Sequence, residues 1–219
     1  MKGTGWRLSP LGEAAITVTL GDRVEPILHD RVLDLARRAR AAQWPGIQEV
    51  VAAYATVTVF FDPVKTNHGR VSAALRTLQH APAVPKNSPL ETSREFVIPV
   101  RYDGPDLDEV ATRTGLPRSE VIARHAARTY RVYLLGFVPG FAYLGELDPS
   151  LALPRRAEPR QRVPEGAVAI AGEQTGIYPF PTPGGWHLIG TTETRMFDAG
   201  RDPPALLSVG DRVRFEPVD

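Results

Sequence analysis

Apolar and polar positions alternate from Ala14 to Leu20 (AAITVTL), and Ile16 to Thr19 are all β-branched; this period of two predicts a strand, ended by Gly21-Asp22. From Val24 to Ala41 the apolar residues Val24, Leu28, Val32, Leu35 and Ala39 recur every three or four positions, which places them on one helical face. Val50 to Phe61 (VVAAYATVTVFF) carries the strongest strand signal, closed by Asp62-Pro63. A second helix is expected near Val71 to Leu78, with Val71, Leu75 and Leu78 on one side. Strands alternating with helices predict a small α+β N-terminal domain over residues 1–85.

Residues 86–93 fall in a Pro-rich, polar stretch (APAVPKNSPLETS from Ala81), which reads as a linker. Residues 94–219 have a different texture. A strand at Glu95 to Tyr102 precedes two short helices, Asp106 to Thr114 and Pro117 to Ala127. Gly115 suits the end of the first and Pro117 the first turn of the second. Short strands between Gly and Pro residues follow, at 130–137, 167–171, 186–191 and 212–216, and predict a compact, mainly-β barrel.

Composition narrows the chemistry. The formal charge is +1, from 26 Lys plus Arg against 25 Asp plus Glu, so no nucleic acid and no membrane surface is implied as partner. There is no cysteine, which excludes disulfides, thiolate metal sites and cysteine nucleophiles. His29, His68, His80, His125 and His187 show no metal-ligand spacing, so no metal is expected. The first residues lack an apolar signal core, and no apolar run is long enough to span a bilayer, so a cytoplasmic location is the expectation. No phosphate-binding loop and no Gly-x-Ser-x-Gly elbow is present, so the chain holds no self-contained ATPase or serine hydrolase machinery.

Two segments concentrate Gly, Pro and aromatic residues: GFVPGFAYLGEL over 136–147 and GEQTGIYPFPTPGGWHLIG over 172–190. Loops stiffened this way present ring faces and backbone N–H groups to a ligand. The same residues also suit ordinary barrel turns with aromatics packed in the core. Gln174-Thr175 is expected in a Gly-bounded turn, either recognising an amide or carboxylate or satisfying its own backbone. Trp186 and His187 are successive strand residues, so their side chains point to opposite faces. Arg155, Arg156, Arg160 and Arg162 form the densest positive patch; guanidinium forks there bind carboxylate or phosphate, or the run is simply solvated.

The motifs GF-x-PGF-x-YLG, P-RR, VP-x-G-x-V-x-I-x-G-x-QTGIYP and PGGW-x-LIG, with the opening L-GE-A and the FFDP strand end, resemble the family of 5-oxoprolinase B subunits. Its relatives are allophanate hydrolase subunit 1 and the kinase inhibitor KipI, and half of the carboxyltransferase domain of urea carboxylases is similar. The resemblance implies an α+β N-terminal domain followed by a cyclophilin-like β-barrel. It implies one component of an ATP-dependent complex that hydrolyses 5-oxoproline to glutamate, inactive alone. ATP is then a co-substrate. The implied partners are a C component, similar to allophanate hydrolase subunit 2, and an A-component homologue. The alternatives are a KipI-like inhibitor of a histidine kinase and an allophanate-hydrolase-like component.

The resemblance makes His125 a candidate catalytic acid/base, against a helix-end histidine that caps carbonyls or packs at the barrel. It makes Phe137, Pro139, Gly140, Phe141 and Tyr143 candidates for substrate binding. Arg155, Arg156, Gln174, Thr175 and Tyr178 join them, as do Gly184, Gly185, Trp186 and His187. The chain departs from the family pattern at Ala142, where relatives often carry Pro, and at Thr191-Thr192, where they often carry Arg-Thr.

Overall fold

The computed structural model describes residues 6–79 and 93–219, which fall into two compact units, Met1–Thr92 and Ser93–Asp219. The expected linker at 86–93 lies, apart from Ser93, outside the described residues, as does His80.

The first unit holds a four-stranded antiparallel sheet of β1 (Arg7–Pro10), β2 (Ala15–Thr19), β3 (Ile47–Ala53) and β4 (Thr56–Phe61), in the order β1-β2-β4-β3. Register sets Ile16 opposite Val59 and Val18 opposite Val57, so one face is continuous and apolar. Helices α1 (Pro26–Ala41) and α2 (His68–Leu78) contact these strands and bury Val32, Leu35, Ala36, Val71 and Leu75 with it. Each large apolar side chain buried this way contributes about 1.5–3 kcal/mol. Asn67 caps α2 by accepting from the Arg70 amide at 3.0 Å.

Two expectations change here. The segment Val50–Phe61 is a hairpin and not one strand: the chain reverses at Tyr54 and Ala55, with Tyr54 at φ 46 and Ala53 paired to Thr56. No glycine or asparagine announces this turn. Val24 precedes α1 and is 51% exposed, while His29, fully buried, takes its place on the inner face of the helix.

The second unit is built on a seven-stranded sheet, in the order β12 (His187–Thr191), β9 (Ala167–Ala171), β10 (Gln174–Ile177), β7 (Ala142–Gly145), β6 (Thr129–Leu135), β13 (Arg212–Pro217) and β5 (Glu95–Val100). Neighbours are antiparallel except β13 and β5. The two edges meet. Arg101, just after β5, donates its amide to the Thr191 carbonyl at 2.9 Å, and Thr191 returns the bond at 2.8 Å. This seam nearly closes the sheet into a barrel and satisfies backbone groups that an open edge would expose.

The barrel interior is filled by Ile98, Val100, Tyr130, Val132, Leu144, Val168, Ile170, Ile177, Ile189 and Phe215. Helices α3 (Leu107–Thr114) and α4 (Arg118–Ala126) add Leu107, Val110 and Val121 to the same cluster. Gly115 ends α3 in the left-handed conformation, and Pro117 is the cap of α4, one residue earlier than expected.

One wall of the barrel is two layers thick. Ala167, Ala169 and Ala171 of β9 face outward yet are buried by Phe141, Val163, Tyr178, Trp186 and Leu188. A two-stranded ribbon, β8 (Arg160–Val163) with β11 (Thr182–Gly184), belongs to this side. Burial on both faces explains why β9 reads as an unbroken apolar run. Gln174 and Thr175 lie in β10, not in a turn; the reversal is at Gly172-Glu173, with Gly172 at φ 55.

Candidate functional site

The outer layer contains a cleft of about 190 Å³, lined by Phe137, Phe141, Tyr143, Arg155, Pro159, Tyr178, Pro183, Gly184, Gly185 and Trp186. The loop between β6 and β7 sets its first wall. Phe137 sits at φ 72 and Gly140 at φ 81, and the Phe141 amide donates to the Val138 carbonyl at 3.1 Å. Gly140 has no substitute: a Cβ there would lie 2.7 Å from that of Phe197. The turn leaves Phe137 58% exposed at the cleft mouth and drives Phe141 into the layer. A bulky residue held at positive φ stores strain, and such residues concentrate at ligand sites.

Phe141 is the hub of the cluster. Its ring meets Tyr143, Tyr178, Trp186 and Phe137 edge-to-face, with centroids at 4.9, 5.2, 5.5 and 5.6 Å. Gly184 lets β11 pass against the Tyr178 hydroxyl, where any Cβ would collide with it. Burial raises the Tyr178 phenol above its ordinary range, and a hydrogen bond with the Trp186 backbone and the Arg155 charge oppose that rise. Burial likewise raises Tyr143, again against Arg155. Both phenols are therefore neutral at pH 7 and able to donate.

Behind this layer stands a buried anchor that the sequence did not reveal. Asp106, at 4% side-chain exposure, accepts from Arg160 Nη1 at 2.9 Å and Nη2 at 2.6 Å, and from Arg156 Nη1 at 3.0 Å. It also accepts from the Leu188 amide at 2.7 Å, while its own amide donates to the Leu188 carbonyl. Burial pushes the Asp106 carboxyl up, but these hydrogen bonds and the two arginines outweigh it and hold the group below its usual range. Glu109 takes a further bond from Arg156 at 3.1 Å. The Arg156 amide donates to the Gly185 carbonyl at 2.8 Å, so the anchored loop forms the rim beside Gly184 and Gly185.

The structure therefore brings together Phe137, Phe141, Tyr143, Arg155, Tyr178, Gly184, Gly185 and Trp186. It places the other candidates elsewhere. Arg156 turns its guanidinium to Asp106 and Glu109. His187 lies on the opposite face of its strand from Trp186, fully buried, with Nε2 donating to the Pro154 carbonyl at 3.0 Å. Pro139 and Gly140 shape the loop without lining the cleft.

Thr175 and His125 belong to the inner side of β10, while Gln174, the strand residue before Thr175, falls on the other face without lining the cleft. His125 is fully buried, stacked on Phe215 at 4.6 Å. Its Nδ1 lies 2.7 Å from the Tyr102 hydroxyl and its Nε2 2.9 Å from Thr175 Oγ1. Thr175 has one hydroxyl proton, and it goes to the Ala169 carbonyl at 3.0 Å. Nε2 must therefore carry the imidazole proton, and Nδ1 accepts from Tyr102. Burial lowers the His125 pKa to about 3, so the ring is neutral near pH 7. Thr175 and Ile177 face the barrel interior, while Gly176 between them abuts Phe141 and Trp186. The sheet thus separates His125 from the cleft.

Comparison with known proteins agrees with this architecture. Residues 6–207 match the family described as carboxyltransferase domain, subdomain C and D. A 5-oxoprolinase B subunit of Escherichia coli O157:H7 is 41% identical over 212 residues, 94% of each chain. One from Bacillus subtilis is 37% identical over 221 residues, 96% of this chain and 92% of the relative. The crystal structure of TTHA0988 superposes with a TM-score of 0.82 at 43% identity over 94% of this chain, which spans 40% of that longer one. Among the described residues, no helix is long and apolar enough to cross a membrane.

Proposed function

The chain belongs to the carboxyltransferase-domain family, subdomain C and D, and from that membership we propose that it is the B subunit of an ATP-dependent 5-oxoprolinase. In this reading it hydrolyses 5-oxoproline to glutamate only in complex with a C-component partner and an A-component homologue. The observation that carries the reading is the near-full-length match, at 37–41% identity, to bacterial chains named as the B subunit of 5-oxoprolinase.

The cleft supports it chemically. A five-membered lactam is small, flat and partly apolar, and edge-to-face rings in a cleft of about 190 Å³ suit such a ring. The neutral phenols of Tyr143 and Tyr178 can donate to the lactam oxygen without adding charge. Ring opening breaks the C–N bond of a stable amide and places hydroxide from water on the carbonyl carbon, with the proton going to nitrogen. Phosphorylation of the amide oxygen by ATP, with ADP leaving, makes that carbon electrophilic; after water adds, breaking the C–N bond and releasing phosphate leave the free carboxylate of glutamate. The cleft is small for a nucleoside triphosphate and, among the described residues, offers one arginine and no lysine, so we assign ATP to a partner protein. The wall that supplies the base is assigned to a partner as well, since among the described residues the cleft lining holds no carboxylate and no histidine.

The test is co-expression with the C-component and A-component homologues, followed by an ATPase assay. Phosphate release that depends on 5-oxoproline and on all three chains is expected. A pure complex that hydrolyses no ATP in response to 5-oxoproline sinks the proposal.

A further inference from the structure

The arginine run Arg155, Arg156, Arg160 and Arg162 is divided by the fold, and the division is informative. Arg156 and Arg160 are held by the buried carboxylate of Asp106, and Arg156 also by Glu109. Arg162 is exposed on β8, outside the cleft lining. Arg155 alone projects to the cleft, and among the described residues it makes no side-chain hydrogen bond or ion pair. Its backbone is fixed, because the next residue is pinned through its amide to Gly185 and through its guanidinium to Asp106. The fold thus pairs Arg156 and Arg160 with carboxylates, sets Arg162 outside the cleft, and leaves the exposed Arg155 as the one cation on the aromatic lining.

Resting on the oxoprolinase reading of this cleft, we propose that Arg155 is its specificity-determining residue and selects small planar amides that bear a carboxylate. Three features converge on this class. A guanidinium is planar and matches a carboxylate by two parallel hydrogen bonds. It is weakly hydrated and tolerates contact with the flanking rings, so it stays competent in a partly apolar cleft. Its field reaches both the Tyr143 and Tyr178 hydroxyls, opposing the effect of burial on each. A ligand spanning the cleft can therefore set its carboxylate on Arg155 and its amide oxygen against the phenols. A cationic or neutral amide of the same size leaves the guanidinium without a partner and loses that interaction.

The assigned role is tested by calorimetric titration of the assembled complex, without ATP, using 5-oxoproline and the neutral lactam 2-pyrrolidinone. Wild type is expected to prefer 5-oxoproline by roughly 10- to 100-fold, the range of a charge-assisted hydrogen-bond pair. Arg155→Gln should abolish the preference by weakening 5-oxoproline alone, and Arg155→Lys should restore part of it. Arg162→Gln, which changes the same net charge away from the cleft, should leave both affinities unchanged. The assignment is overturned if wild type shows no preference, if neither lactam binds at its highest soluble concentration, or if Arg155→Gln keeps the preference. A complex that prefers the carboxylate through Arg155 yet couples no ATP hydrolysis to 5-oxoproline overturns the oxoprolinase reading and leaves this inference standing.

Discussion

Asp106 grips Arg160 by both terminal nitrogens, at 2.9 and 2.6 Å, and its Oδ2 also accepts from the Leu188 amide at 2.7 Å. One buried carboxylate thereby ties the start of α3 to the cleft loop and to β12. Removing it strands Arg160 and a buried backbone N–H and leaves Arg156 with Glu109 alone. Arg156 and Arg160 keep about a quarter of their side-chain surface, at 27% and 25% exposure, so water relieves part of the cost. Asp106→Ala is expected to lower stability by about 3 kcal/mol, near the low end for breaking a buried ion pair. Urea denaturation of the Asp106→Ala and Arg160→Ala single and double variants checks this. The double variant should cost clearly less than the two singles added together.

The Tyr102–His125–Thr175 chain makes stability depend on pH with a definite sign. His125 titrates near 6.5 in the unfolded chain and at about 3 in the fold, so the unfolded state binds more protons between these values. The stabilisation is complete above pH 6.5 and is lost as pH falls toward 3, at about 1.4 kcal/mol per pH unit for one proton. Wild type should lose about 2 kcal/mol more than His125→Gln between pH 6.5 and pH 5 in denaturant titrations. An equal loss in both proteins means the imidazole is not buried neutral. Asp106 adds a loss of the same sign at lower pH, since its carboxyl is held below its usual range and its contribution fades as it protonates.

Phe137 separates affinity from stability. Its ring is mostly exposed and its backbone is at φ 72, a conformation that glycine adopts freely. Phe137→Gly relieves about 1 kcal/mol of backbone strain and forfeits an edge-to-face contact of similar worth. The unfolding free energy should stay within about 0.5 kcal/mol of wild type, whereas KM for 5-oxoproline in the complex should rise at least about fivefold. Trp186→Ala, which empties a side chain that is 5% exposed, should instead cost about 3–5 kcal/mol of stability.

The sequence disclosed those parts of the molecule that local patterning controls. Helix α2 follows from the spacing of Val71, Leu75 and Leu78, and the end of α3 follows from Gly115, which adopts the left-handed conformation there. Phe137, Phe141, Tyr178 and Trp186 stood out because Gly and Pro surround them, and the fold gathers those four. What stayed hidden depends on distant partners. The turn at Tyr54 carries no turn residue and is imposed by β4 folding back on β3. Asp106 reads as an ordinary helix-start acid until Arg160, fifty-four positions away, is brought against it. His125 looks like a catalytic candidate on a short helix, and only the fold, which sets Tyr102 against Nδ1 and Thr175 against Nε2, shows how both nitrogens are hydrogen-bonded.

Thr191, the position at which the chain departs from the pattern expected of the family it resembles, offers the last test. It lies on the barrel seam, outside the aromatic cleft, with Oγ1 donating to Asp103 at 2.9 Å and its backbone paired to Arg101. Arg101 also approaches Asp103, at 3.8 Å, so this carboxylate already serves a cation. An arginine at 191 forfeits the hydroxyl bond and adds a second positive charge beside Arg101, both on exposed side chains where water screens the repulsion. Thr191→Arg should therefore cost about 1 kcal/mol of stability, more at low salt than at high salt. KM for 5-oxoproline should not change, because the seam and the cleft use different residues. A changed KM with unchanged stability would mean that the seam side of the barrel, lined by Arg101, Thr191 and Thr192, takes part in substrate binding.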